Sequence, residues 1–139
     1  KVVIQTSNPT HPLFAWVLKN DVTGFIQDQL KDRQEHFYPP FSRLIEITVK
    51  NIDKKVAVEV AQTLADQMRK KNKHAKVLGP GEPMVSKIRN EFLMTLLIKI
   101  GRDQGKLGEL KSDLFTLVEN MRQIKEYRNV KIVFDVDPA

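Results

Sequence analysis

Two consecutive prolines, Pro39 and Pro40, stand between Tyr38 and Phe41 and divide the chain into parts that must fold differently. Neither proline can donate to a helical ladder, and Pro39 also pushes Tyr38 out of the α region, so a helix arriving from upstream ends before this point. The stretch from Arg33 to Arg43 carries Phe37, Tyr38 and Phe41. These three aromatics offer more apolar surface than a solvated linker needs. The stretch therefore reads as a packed seam between two structural units, with Arg33 on its upstream side.

Downstream of the seam the hydrophobic period alternates between strand and helix. Residues 44–50 form a strand pattern with Ile45, Ile47 and Val49 on one face and Glu46, Thr48 and Lys50 on the other. Asn51 to Asp53 caps a long helix whose Ala57, Val60, Ala61, Leu64 and Met68 recur at helical spacing. Its basic end, Arg69 to His74, complements the helix dipole. A short strand over 76–79 is broken by Pro80, and extended structure resumes over 84–89. Phe92 to Ile100 is rich enough in Leu and Ile for a central strand, and a second amphipathic helix follows over 106–125. A last strand runs from Val130 to Val136.

The order β-α-β-β-α-β predicts an α+β, ferredoxin-like sandwich, in which two helices cover one face of a four-stranded antiparallel sheet. Upstream, residues 1–6 read as a strand. Two short helices follow, one capped by Thr10 and running to about Leu18, the next capped by Asp21 and ending near Arg33. That opening unit is too small to own a core. A strand pattern that begins directly after Lys1, without Met, is the expected mark of a piece of a longer protein.

Composition narrows the functions. The chain of 139 residues has no cysteine, which removes disulfides, thiolate catalysis and cysteine-ligated metals. No apolar run approaches a membrane span, and a cytoplasmic setting is expected. Lys and Arg outnumber Asp and Glu by 23 to 17, a net charge of +6, which favours an anionic partner and nucleic acid first. By alternation the open sheet face carries Thr48, Lys50, Thr95, Leu97, Lys99, Lys131 and Val133. Lysines spread over three strands suit phosphates, and the absence of an aromatic pair argues against sequence reading of single strands. Lys87 and Arg89 extend the basic set.

Gly101 to Leu107 occupies the place of a phosphate loop but lacks the Walker spacing and a magnesium-binding hydroxyl. Arg102 and Lys106 flank a helix N-terminus there and leave room for a weaker anion contact. His11, His36 and His74 lie in separate segments without carboxylates at ligand spacing. Asp135 and Asp137 share one side of the last strand, where a salt bridge is the expected use. Trp16 reads as a packing residue, and nothing specifies a catalytic site.

Several pieces in order resemble a known family. Val3-Ile4-Gln5-Thr6 with Asn8-Pro9 and His11-Pro12, then Arg33 with Tyr38-Pro39-Pro40-Phe41, are similar to the C-terminal region of the bacterial replication-restart helicases of the primosomal protein N′ family. Val77-Leu78-Gly79-Pro80, Leu96 to Lys99 and Asp135 to Pro138 follow in the family's order. The resemblance implies that residues 1–40 are the C-terminal end of the second helicase motor lobe and residues 41–139 a C-terminal α+β domain. It implies a parent that hydrolyses ATP with magnesium and carries zinc, all of it upstream, so that this piece needs no cofactor. It also implies contact with forked or single-stranded DNA, with primosome proteins, with the rest of its own chain, and with the acidic tail of single-stranded DNA-binding protein. Members use an Arg near the start of the second domain helix for that tail. The matching position here is Gln104, between Arg102 and Lys106. Leu93 also stands where the family usually carries Arg.

The expected function is accordingly DNA binding by Lys50, Lys87, Arg89, Lys99 and Lys131 together with protein docking, without catalysis by this piece. A small-ligand regulatory module of the same topology and a purely structural brace of the motor lobe are the alternatives.

Overall fold

The structure, a computed structural model, describes residues 1–138. The chain separates into two compact units after His36.

The first unit is a helix pair. α1 spans Pro12–Lys19 and α2 spans Val22–Glu35. The cap of α1 is His11 rather than Thr10: its Nδ1 accepts the Leu13 N–H at 3.2 Å. Asp21 caps α2, as its position promised, by accepting from the Gly24 N–H at 2.8 Å. Gly24 leaves room for the Trp16 ring, which a Cβ there would approach to 2.5 Å. The strand expected over residues 1–6 does not form. Val2 and Val3 are exposed, and an extended segment gains a ladder only when another strand pairs with it.

The second unit begins at Phe37, ahead of the prolines. Its elements are β1 (Ser42–Asn51), α3 (Lys54–Lys71), β2 (Ala75–Gly81), β3 (Lys87–Ile88), β4 (Glu91–Gly101), α4 (Gln104–Arg122), a short 3-10 turn at Lys125–Tyr127 and β5 (Lys131–Val136). The strands are antiparallel in the order β2-β4-β1-β5, with the two residues of β3 added beside β4. This is the split-βαβ arrangement that the element order predicts, since β4 enters between β1 and β2.

Alternation decides the two faces. Ile45, Ile47 and Val49 of β1 and Met94, Leu96, Ile98 and Ile100 of β4 point to the helices and are buried. Val60, Leu64 and Met68 of α3 and Leu110, Leu114 and Val118 of α4 meet them in a single core. Caps fix the helix starts: Asp53 accepts from the Lys55 N–H at 2.8 Å, and Asp103 from the Lys106 N–H at 3.1 Å. At the far end of α3 the buried Asn72 donates to Asp113 of α4 at 3.0 Å, tying the helices together.

Two boundaries differ from the sequence reading for clear reasons. β2 does not stop at Gly79 but passes through Pro80 with a register shift between Leu78 and Gly81. Proline is tolerated there because β2 is an edge strand, and Gly79, at φ +89°, brings its backbone close to Thr95. Arg69 follows from the same edge. It reaches from α3 to the carbonyls of Val77, at 3.4 Å, and Gly79, so one cation of the basic helix end is committed to structure. α4 ends at Arg122, and the residues beyond it tighten into the 3-10 turn, where the Tyr127 hydroxyl donates to Glu59 at 2.7 Å. No helix among the described residues is long and apolar enough to cross a membrane.

Candidate nucleic-acid interface

The face of the sheet turned away from the helices is built in cross-strand rows. At one end Lys131, Lys50 and Leu93 lie side by side on β5, β1 and β4. Val133, Thr48 and Thr95 form the next row, and Asp135, Glu46, Leu97 and Leu78 the one after it. Leu44, Lys99 and Lys76 close the other end.

This geometry gathers some of the expected basic residues and separates others. Lys50 and Lys131 are neighbours. The β3–β4 hairpin rises beside them, with Arg89 and Asn90 as its two turn residues, both at positive φ (49° and 66°) as such tight turns require. Arg89 is therefore an exposed tip. Lys87, across from Phe92, comes off the helix side of the hairpin and lays its ammonium 4.7 Å from the centre of that ring. Glu91 sits among these cations and pairs with Lys131 at 2.7 Å.

Lys99 belongs elsewhere. It lies six residues along β4 from Leu93, or about 20 Å away at strand rise, with the acidic row of Glu46 and Asp135 in between. It is only 5% exposed, and its ammonium rests 3.4 Å from the centre of the Tyr38 ring. The lysines thus do not make one continuous track over the sheet. Alternation places Lys99 on the open face correctly but is silent about Tyr38 covering it.

The seam holds that end together. Ser42 donates to the Phe37 carbonyl at 2.8 Å, and Phe41 closes a turn onto the Tyr38 carbonyl at 3.0 Å across Pro39 and Pro40. Arg102 donates to the Pro40 carbonyl at 3.3 Å. Arg33 lies in the last turn of α2, in the first unit. Gln104 opens α4, and Lys106 is exposed within the same first turn. The Asp103 carboxylate already occupies the Lys106 N–H, so this helix start has its own anion in place.

Asp137 is a lock that sequence reading placed only as one half of a salt bridge. Its carboxylate pairs with Arg43 and accepts the Leu44 N–H at 3.0 Å, while its own N–H donates to the Leu44 carbonyl at 2.8 Å. The backbone hydrogen bond from Leu44, the Arg43 guanidinium and the nearby Arg102 hold this carboxyl below its ordinary value. A depressed carboxyl contributes stability that is complete above the unfolded pKa and is lost as pH falls through the lower folded one. Asp137→Asn is expected to lower the urea midpoint at pH 7, and the gap to the unmodified chain should close as pH drops from about 5 toward 3. An unchanged gap across that range would contradict the assignment.

No aromatic side chain projects from the strands of this face, so base stacking has no platform on them. Lys50, Lys131 and Arg89 are instead suited to anionic oxygens spaced along a backbone, while Lys87 lies on the other side of the hairpin. Among the described residues no three His, Cys, Asp or Glu side chains are grouped to hold a metal.

Residues 34–139 match the family model described as the primosomal protein N C-terminal domain. A replication restart protein PriA of Thermotoga maritima is 33% identical over 114 residues, covering 82% of this chain and 15% of the relative. A probable replication restart protein PriA of Deinococcus radiodurans is 35% identical over 118 residues, covering 83% of this chain and 12% of the relative. This chain thus spans less than a fifth of the length of these curated relatives. Among solved structures, the de novo designed protein Foldit4 is similar with a TM-score of 0.52 at 9% identity, over 70% of this chain and 98% of that one. That likeness speaks to the fold alone.

Proposed function

The chain belongs to the primosomal protein N C-terminal domain family, and from that membership we propose that it serves a replication-restart helicase as an accessory DNA-binding and docking module. The observation that carries this reading is the cationic end of the open sheet face, where Lys50 and Lys131 adjoin on β1 and β5 and Arg89 tips the β3–β4 hairpin, with Lys87 on the hairpin's other side. Lys50, Lys131 and Arg89 grip backbone phosphates of forked or single-stranded DNA without reading bases. Lys99, packed against Tyr38, braces the seam rather than reaching DNA.

The start of α4 serves the second task. Arg102, Gln104 and Lys106 line one exposed turn and contact the acidic tail of single-stranded DNA-binding protein. Catalysis belongs to the rest of the parent, which would bring ATP, magnesium and zinc, and primosome partners assemble on that larger protein. The module itself carries out no reaction.

Fluorescence anisotropy with a labelled fork tests the DNA reading. Three phosphate contacts to duplex arms correspond to a slope of about −2.7 in log K against log salt, or roughly a fortyfold loss of affinity between 50 and 200 mM. A flat salt response, or no binding at 50 mM, would reject the proposal.

A further inference from the structure

β5 is the edge of the sheet beside β1, and its free side is unusual in three respects. The first is its backbone. The Asp137 N–H bonds the Leu44 carbonyl, which sets the parity of the β1–β5 ladder. Lys131, Val133 and Asp135 therefore turn their N–H and C=O groups toward β1, and Ile132, Phe134 and Val136 turn theirs outward. Those outward groups form a ready template for another strand.

The second is a bare core side. Phe134 and Val136 pair with the buried Ile47 and Ile45 and point the same way, yet they stay 43% and 50% exposed. Together with Leu114 and Phe115 of α4 they line an apolar groove of about 260 Å³, with Lys111 at its rim, and Phe115 is 70% exposed.

The third is charge. Asp135 sits directly across from Glu46, an unfavourable like-charge pair. We propose that β5 pairs antiparallel with β5 of a second copy of this chain, about a two-fold axis at Val133, to give one continuous sheet. That axis puts the second copy's Lys131 opposite Asp135, and the reverse, in non-hydrogen-bonded positions where side chains approach most closely. It also sets Ile132 opposite Phe134 of the other copy in a hydrogen-bonded pair, which matches the outward groups already deduced. Open faces align with open faces, so the bare apolar sides adjoin.

Other registers lose the match. An axis at Phe134 sets Asp135 against Val133 and offers Lys131 only to Asp137, which Arg43 already holds. An axis at Ile132 offers Lys131 no acid. On forming the pair, Lys131 exchanges or shares its present partner Glu91. Five paired residues on each strand and one groove fall short of a standard permanent interface, so the association is of roughly micromolar strength or weaker. The proposal does not rest on DNA binding.

The chain has no cysteine, which makes the test clean. In the full chain, Val133→Cys faces its own copy across the axis, with Cα atoms about 4.5 Å apart, within disulfide reach. Mild oxidation at high concentration is expected to give a covalent dimer. Lys131→Cys or Asp135→Cys alone should not cross-link, while a mixture of the two should. In sedimentation equilibrium, Lys131→Asp is expected to weaken the dimer about tenfold or more, and the double exchange Lys131→Asp with Asp135→Lys to restore it. Thermal unfolding of each variant separates lost pairing from lost folding. A monomer throughout, or a Lys131→Cys variant that cross-links as readily as Val133→Cys, would overturn the proposal.

Discussion

Leu64→Ala is expected to lower the stability of the second unit by about 2–5 kcal/mol, which for a domain of this size is a fall in Tm of roughly 10 °C or more. Leu64 lies on the face of α3 that meets the sheet and is fully buried in the core with Val60, Met68 and Ile98. Truncation removes its transfer free energy and leaves a cavity whose walls are strands on one side and a long helix on the other, neither free to collapse. Phe115→Ala, at an exposed position on α4, serves as the comparison and should change stability by no more than about 0.5 kcal/mol. Thermal unfolding followed by circular dichroism measures both. Equal effects would mean that the helices do not pack on the sheet in the way described.

The second large effect concerns binding. Replacing Lys50, Arg89 and Lys131 together by glutamine is expected to reduce the salt slope for duplex-armed DNA by about 2.7, three contacts at roughly 0.9 each. Affinity at 50 mM salt should fall at least about tenfold. Arg89 and Lys131 are exposed and Lys50 is half-buried on the open face, so the folded structure should tolerate the change. Neutralising Lys70, Lys71 and Lys73 changes the net charge by the same amount at the end of α3. If that control weakens binding equally, the contribution is general charge and not this surface. A variant of the sheet end with undiminished slope would remove those residues from the interface.

Much of the architecture was legible because two periods differ so sharply. The helical recurrence of Ala57, Val60, Ala61, Leu64 and Met68 against the alternation of Ile45, Ile47 and Val49 leaves little choice of element, and element order then fixes topology. What escaped depended on contacts distant in sequence. The Val2-Val3-Ile4 pattern has strand propensity, but propensity without a pairing partner forms no ladder. Pro80 marks a break only in a strand that needs its N–H, and β2, at an edge, does not.

The candidate interface was legible in part. Lys50 and Lys131 fall together because register follows from the pattern, and the arm bearing Arg89 is a short hairpin whose turn signal, Arg-Asn, is weak. The acidic row was within reach of the same alternation: Glu46 shares the open face of β1 with Lys50, and Asp135 that of β5 with Lys131, so both acids lie between the lysines at the two ends. Lys99 was different in kind. Nothing local says that Tyr38, brought round by the Pro-Pro turn, lies over it. Asp137 likewise finds Arg43 and Leu44 only once β5 is laid beside β1.

Phosphates are expected to meet the open sheet face at its cationic end. Amide chemical-shift mapping during titration with forked DNA tests this most directly. The largest perturbations are expected at Thr48, Lys50, Leu93, Lys131 and the Arg89–Asn90 turn, with Leu44 and Lys99 little changed. Perturbations concentrated on the outer surfaces of α3 and α4, with the sheet face silent, would contradict it.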